Sequence, residues 1–274
     1  MTAQLLKGTV SVIAGGSSGI GRAVVERFAE HGSVVEFLAI DDAGVSELER
    51  TLQDKGFDVR GSVVDASDEL QVRAFMERVA ERHGRVSALV NSQGIQRYGT
   101  VETTSAATWD EVMNVNLKSM FLMAKYAVPL MRVNGGGAIV NVSSGQAVAS
   151  QANVVAYTAT KGAIVAMTRA MAVDHAGEGI RVNSVCPGSV DTPMLRASAR
   201  SIDPENPDRI VNEWGAMHPL GHVGQPSEIA DAIVFLASSM ASFVTGADLR
   251  VDGGVLAKVA MEAPREASDA RAQG

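Results

Sequence analysis

Val10-Ser11-Val12-Ile13-Ala14-Gly15-Gly16-Ser17-Ser18-Gly19-Ile20-Gly21 decides the fold. A short apolar run stops at a glycine pair, and the glycine-rich stretch leads into an amphipathic segment. The run reads as a buried strand, the glycines as a turn, and the residues from Ile20 onward as a helix. Gly15 permits a sharp turn out of the strand. Gly19 leaves room for backbone to approach a phosphate, and Gly21 lets the helix lie close to the sheet. Amides at the start of that helix, with the Ser17 and Ser18 hydroxyls beside them, are then placed to bind a pyrophosphate.

The same alternation continues outward. Strands read at about 9–14, 34–40, 58–64, 86–91, 137–143, 180–186 and 247–251; helices read at about 20–31, 43–55, 68–83, 106–131, 154–176 and 226–238. Continuous apolar strands between helices imply a mostly parallel sheet covered on both faces. Right-handed crossovers make this a doubly wound α/β fold with seven strands. Ligands in such folds sit beyond the C-terminal strand ends, and Gly15, Asp41, Asp65, Asn91, Ser144 and Pro187 all fall there. Segment 193–225 breaks the alternation with Pro193, Pro204, Pro207 and Pro219, and reads as a loop with short helices covering the site as a lid. Residues 1–256 therefore read as one catalytic domain. The polar tail 257–274 reads either as a frayed end or as a segment packed on a neighbouring subunit.

Composition narrows the partners. Hydrophobic residues make up 46% of the 274, enough for a core between two helical layers, but aromatics only 4%, so aliphatic residues and the 12 methionines must fill it. A net charge of −7 without a basic stripe argues against nucleic acid. No apolar stretch is long enough for a bilayer span, and no export signal opens the chain. A single cysteine, Cys186, forms no internal disulfide, suits the cytoplasm and reads as a small buried residue. The histidines His31, His83, His175, His218 and His222 lack metal-ligand spacing, so no metal is implied.

Tyr157 and Lys161 lie four apart at the start of a helix and so share a face. An ammonium beside a phenol favours the phenolate, lowering the phenol's pKa from about 10 toward neutrality, where it can give and take protons. Upstream, Ser143-Ser144 closes the strand Ala138–Val142. A serine hydrolase is disfavoured, because the G-x-S-x-G elbow is missing around Ser144.

These motifs, in this order, resemble the short-chain dehydrogenase/reductases: Gly15, Gly19 and Gly21; Asn91; Asn114-Val115-Asn116-Leu117; Ser144; Tyr157 with Lys161; and Pro187-Gly188 followed by Thr192. The resemblance runs from about Leu5 to about Gly254 and implies a Rossmann-fold NAD(P)-dependent oxidoreductase. It implies Tyr157 as acid/base, Lys161 lowering its pKa and holding the nicotinamide ribose, Ser144 bonding the substrate oxygen, and Asn116 holding a water, with Asn114 as nearby competitor. It implies Asp65 at adenine, Asn91 and Gly94 in the turn beside the cofactor, and Thr192 at the nicotinamide carboxamide. Gly15, Ser17, Ser18, Gly19, Ile20 and Gly21 form the phosphate turn. Two departures stand out. The turn Asn91-Ser92-Gln93-Gly94 replaces Asn-Asn-Ala-Gly, and Ala14 replaces a threonine.

No basic residue precedes Arg22 in the glycine turn, and the second strand ends Leu38-Ala39-Ile40-Asp41-Asp42, which favours NAD(H) over NADP(H). The family's acidic position falls on Ala39 by direct count, so Asp41 is either a ribose ligand or a helix N-cap. Candidate substrate contacts are Gln96, Gln146, Gln151, Asn153, Gly188, Met194, Trp214 and His218, whose amides suit a small hydroxylated substrate such as a polyol, sugar or hydroxy acid. The alternatives are an NADPH-dependent 3-ketoacyl carrier-protein reductase-like enzyme and a non-catalytic dinucleotide-binding regulator. The Ala-, Met- and Val-rich helices at 106–131 and 154–176 point, with the resemblance, to a homodimer or homotetramer.

Overall fold

The computed structural model describes residues 4–259. The polar tail lies almost wholly outside the described residues. Seven strands, β1 (Val10–Ala14), β2 (Val34–Ala39), β3 (Val59–Val63), β4 (Ala88–Asn91), β5 (Gly137–Val142), β6 (Ile180–Pro187) and β7 (Asp248–Val251), form one sheet in the order β3-β2-β1-β4-β5-β6-β7. Every pairing is parallel. The strand order reverses between β1 and β4, where Ala14 stands opposite Leu38 on one side and Asn91 on the other. This is the Rossmann arrangement expected from the sequence, and it opens a crevice at that reversal.

The helices are α1 (Gly19–Glu30), α2 (Asp42–Asp54), α3 (Glu69–His83), α4 (Ala106–Met113), α5 (Ser119–Val133), α6 (Val155–His175), α7 (Pro193–Ile202), α8 (Pro207–Met217) and α9 (Pro226–Ala237). Side chains alternate across each strand, so Ile13 and Phe37 enter one helical layer with Val24, Phe28 and Ile233. Val12 and Leu38 enter the other with Phe75, Met123 and Ile139. Each such fully buried side chain contributes ~1.5–3 kcal/mol, so a core nearly free of tryptophan and tyrosine still closes both faces. Local signals set the helix ends. Asp68 accepts the Leu70 and Gln71 amides to start α3, and Gly84 at φ +68° ends it.

Two boundaries differ from the sequence reading. The helix expected over 106–131 is broken into α4 and α5 by a π turn at Asn114–Lys118. A single inserted residue changes backbone bonding without changing hydrophobic spacing enough to be seen. Strand β2 stops at Ala39, leaving Ile40 exposed.

Segment 193–225 folds as α7 and α8, with its own small core of Ala199, Ile210, Val211 and Val223. Arg196 bonds Asp191 at 2.6 and 2.7 Å and also Asp208, and Arg209 bonds Asp203 at 2.8 Å and Glu213 at 2.5 Å. Among the described residues, no helix is long and apolar enough to cross a membrane.

Candidate functional site

The glycine turn is shaped by close backbone approach. A Cβ on Gly21 would stand 2.0 Å from the Gly15 carbonyl oxygen, and one on Gly15, itself at φ +78°, would stand 2.6 Å from the Gln93 nitrogen. Helix α1 is thereby drawn against the end of β1. Ser18 has N-cap backbone geometry but makes no side-chain cap bond, so the first amides of α1 stay open. Gly19 faces Thr192, whose methyl lies 3.2 Å from where a Cβ would be. Thr192 also caps α7 through the Leu195 amide. Residues distant in sequence thus line one cradle, and its open amides fit a dinucleotide pyrophosphate.

Asp41 holds the N-cap position of α2 without a side-chain cap bond, so the cap reading lacks its hydrogen bond. Its exposed carboxylate and Ser17 face the same point, 2.3 Å and 3.2 Å from where a Cβ on Gly44 would lie. Arg22, the cation that directly follows the glycine turn, is held by Glu26 at 3.1 Å and by Glu47 at 2.7 Å. Asp65 accepts the Ser67 amide and hydroxyl through Oδ1 at the exposed end of β3. Asn91 departs from expectation: its side chain points between sheet and helix, where Nδ2 donates to Asn141 Oδ1 at 2.9 Å, and Asn141 donates to Thr168. The residue is fully buried, so only its backbone is left for the crevice.

Ser144, Tyr157 and Lys161 converge beyond β5. Ser144 Oγ accepts the Gln146 amide at 3.1 Å, and Ser144 stands beside the Tyr157 phenol. Lys161 Nζ donates to the Val142 carbonyl at 3.0 Å and stands 5.3 Å from the Tyr157 ring centroid. Gly94 borders the same space. A Cβ there would lie 3.4 Å from Asn116 Oδ1 and 3.9 Å from Lys161 Nζ. Asn116 is buried and its amide bridges the loop, accepting the Ile95 amide at 2.7 Å and donating to the Ile95 carbonyl and Thr160 Oγ1. Asn114 is exposed and stands outside this group.

The expected lowering of the Tyr157 pKa is not found. Burial pushes the phenol up to about 12, with the Ser144 hydroxyl opposing. Burial likewise pushes Lys161 down to about 8, with Cys186 opposing. Both charged forms are desolvated, and the ammonium's hydrogen bond goes to a carbonyl instead of the phenol oxygen. This has a consequence for stability. An exposed lysine keeps its proton to about 10.5, so between about pH 8 and 10 the unfolded chain holds a proton the folded one has released, and stability rises with pH. Tyr157 acts with the opposite sign only above about pH 10, where an exposed phenol ionises and the buried one does not. Chemical denaturation of wild type and Lys161→Met should differ by a slope of about 1 kcal/mol per pH unit over that window. Parallel profiles would refute the assignment.

The substrate candidates separate into groups. Gln96 and Met194 line a groove of about 350 Å³ with Gly94, Ile95, Tyr98 and Ala197, between the loop after β4 and helix α7. Gln146 is held by Thr158 Oγ1 at 3.3 Å and Gln151 at 3.4 Å in the loop after β5. Asn153, at φ +61°, passes its carbonyl to the Gly99 amide at 2.7 Å. Trp214 and His218 do not line the groove. Trp214 packs on the small core of α7 and α8. His218 is buried, its Nδ1 donating to the Trp214 carbonyl at 2.9 Å and its Nε2 accepting the Ser189 amide at 3.2 Å. It ties the end of α8 to the loop after β6, and Gly188 is tight against it, 2.8 Å from Nε2 to a would-be Cβ. Ile95, Tyr98 and Ala197 were missed from sequence; the first two directly follow a strand end and could have been drawn from that position.

A family model described as Enoyl-(Acyl carrier protein) reductase matches residues 14–256. The cis-4-hydroxycyclohexanecarboxylate dehydrogenase of Sinomonas cyclohexanicum is 38% identical over 249 residues, 90% of this chain and 96% of that protein. The levodione reductase of Leifsonia aquatica is 34% identical over 248 residues, 89% of this chain and 93% of that protein. Among solved structures, the ligand-free aldohexose dehydrogenase of Thermoplasma acidophilum superposes with a TM-score of 0.87 at 36% identity, covering 94% of this chain and 98% of that one.

Proposed function

The chain belongs to the short-chain dehydrogenase/reductase family of oxidoreductases acting on CH–OH groups, and from that premise we propose that it is an NAD-dependent enzyme interconverting a secondary alcohol and a ketone on a small hydroxylated substrate. The carrying observation is the convergence of Ser144, Tyr157 and Lys161 beside Gly94, next to the glycine cradle. A bound nicotinamide supplies the hydride chemistry. Gly15, Ser17, Ser18, Gly19, Ile20, Gly21, Asp65, Gly94 and Thr192 hold the dinucleotide. In the oxidative direction Tyr157 takes the alcohol proton, Ser144 donates to the substrate oxygen, and Lys161 holds the nicotinamide ribose. Asn116 fixes the Ile95 backbone on the wall of that space.

Preference for NAD rests on charge. The exposed Asp41 carboxylate repels a 2′-phosphate, and Arg22 is committed to two glutamates. Similarity to the 3-oxoacyl-[acyl-carrier-protein] reductase of Thermotoga maritima, 35% identical over 251 residues, keeps a carrier-protein ketoacyl reductase as the second reading, which would need NADPH. Absorbance of reduced nicotinamide, with a panel of polyols, sugars, hydroxy acids and acyl thioesters, tests both. We expect kcat/KM at least about tenfold higher with NAD, worth ~1.4 kcal/mol. Preference for NADP would overturn the reading. Dinucleotide binding without any turnover would mark a regulator.

The lid 193–225 closes over the groove through Met194. Met113, Leu117, Phe121, Ala163 and Met167 form an apolar hollow, with Phe121 51% exposed, which a second copy of the chain covers in a homodimer or homotetramer. The buried free thiol of Cys186 suits the reducing cytoplasm.

A further inference from the structure

Gln93 stands where the family pattern has a small residue, and its amide joins two elements. Nε2 donates to Ser119 Oγ at 2.8 Å, and Ser119 Oγ donates to the Val115 carbonyl at 2.6 Å. The direction of this relay is fixed, because a carbonyl only accepts and the hydroxyl has one proton to give; Gln93 must therefore present its NH2. The relay answers a need created by the π turn. The Ser119 N–H bonds the Asn114 carbonyl, five residues back. In an α-helix that N–H would bond Val115. The Val115 carbonyl thus loses its usual donor, and the Ser119 hydroxyl replaces it.

The same π turn carries Asn116, which is bonded to the Ile95 backbone. The loop after β4 and the π turn are therefore tied at two points, one through Gln93 and Ser119, the other through Ile95 and Asn116. Gln93 Oε1 is buried without a partner, an unfavourable feature that the donor end offsets. An apolar residue of equal volume would pack there without that cost.

We propose that Gln93 is a positioning residue that acts through Ser119 to hold the π turn and so set the Asn116 amide beside Gly94 and Lys161. The inference rests on the dehydrogenase reading. Gln93→Met removes the donor and the unpaired acceptor together at nearly constant volume. The test is a double-mutant cycle of wild type, Gln93→Met, Asn116→Ala and the double variant, assayed with NAD and the alcohol the wild type oxidises best. Gln93→Met should lower kcat about tenfold while leaving the KM for NAD within about twofold. In the Asn116→Ala background it should change kcat by less than about twofold, because the two residues act on one path. Equal losses in both backgrounds, or an unchanged kcat for Gln93→Met, would overturn the inference. Ser119→Ala enters the relay from the other element, so the same cycle built on it decides the matter if Gln93→Met does not fold. A wild type without turnover would overturn the dehydrogenase reading and this inference together. An active wild type beside an unaffected variant overturns the inference alone.

Discussion

Tyr157→Phe is expected to lower kcat by about 10²–10⁴-fold, the range that a positioned proton donor or acceptor contributes. The substitution deletes one oxygen and leaves the ring in place. Tyr157 is 9% exposed, and the Lys161 bond to the Val142 carbonyl does not involve the phenol. Dinucleotide affinity should therefore stay within about threefold, well under the ~1.4 kcal/mol that a tenfold change represents. Titration of NADH by fluorescence and steady-state oxidation of the best alcohol separate the two quantities. Loss of turnover and affinity together would show that the residue shapes the cradle instead of moving a proton. The high pKa of the buried phenol adds a direction: the protonated form prevails at neutral pH, so reduction has its donor ready, whereas oxidation gains as pH rises.

The second large effect is expected at Gly21→Ala. The added methyl would lie 2.0 Å from the Gly15 carbonyl oxygen and 2.8 Å from its carbon. Both atoms are backbone, so no side chain can swing aside. Helix α1 must move away from the end of β1, carrying its open amides with it. NAD affinity should fall by at least about tenfold, since the amides and the helix dipole act only at close range. Isothermal titration with NAD and far-ultraviolet circular dichroism test this together. Unchanged affinity in a folded Gly21→Ala protein would remove the glycine cradle as the phosphate site.

Much of the architecture was legible because it rests on local signals. Strand periodicity and the glycine spacing around β1 give the strand–turn–helix unit, and its repetition gives the sheet. The convergence of Ser144, Tyr157 and Lys161 was legible through motif order. What stayed hidden depends on three-dimensional context. Asn91 lies at a strand end like the cradle residues, yet the pleat turns its side chain toward Asn141. His218 looks like a candidate contact in sequence, but only the fold shows both ring nitrogens bonded to backbone. The sign of the Tyr157 shift was missed because an i, i+4 spacing reports that two groups are neighbours and says nothing of their desolvation. The π turn escaped for a similar reason: it is a matter of which carbonyl an amide chooses.

The small core of α7 and α8, with its arginine–carboxylate clasps, is set apart from the two large layers on the faces of the sheet. On the proposed reading, selectivity and chemistry reside on separable parts. Grafting a relative's helical pair between Thr192 and His218 would alter which molecules are admitted while leaving the proton-handling apparatus on α6 as it stands.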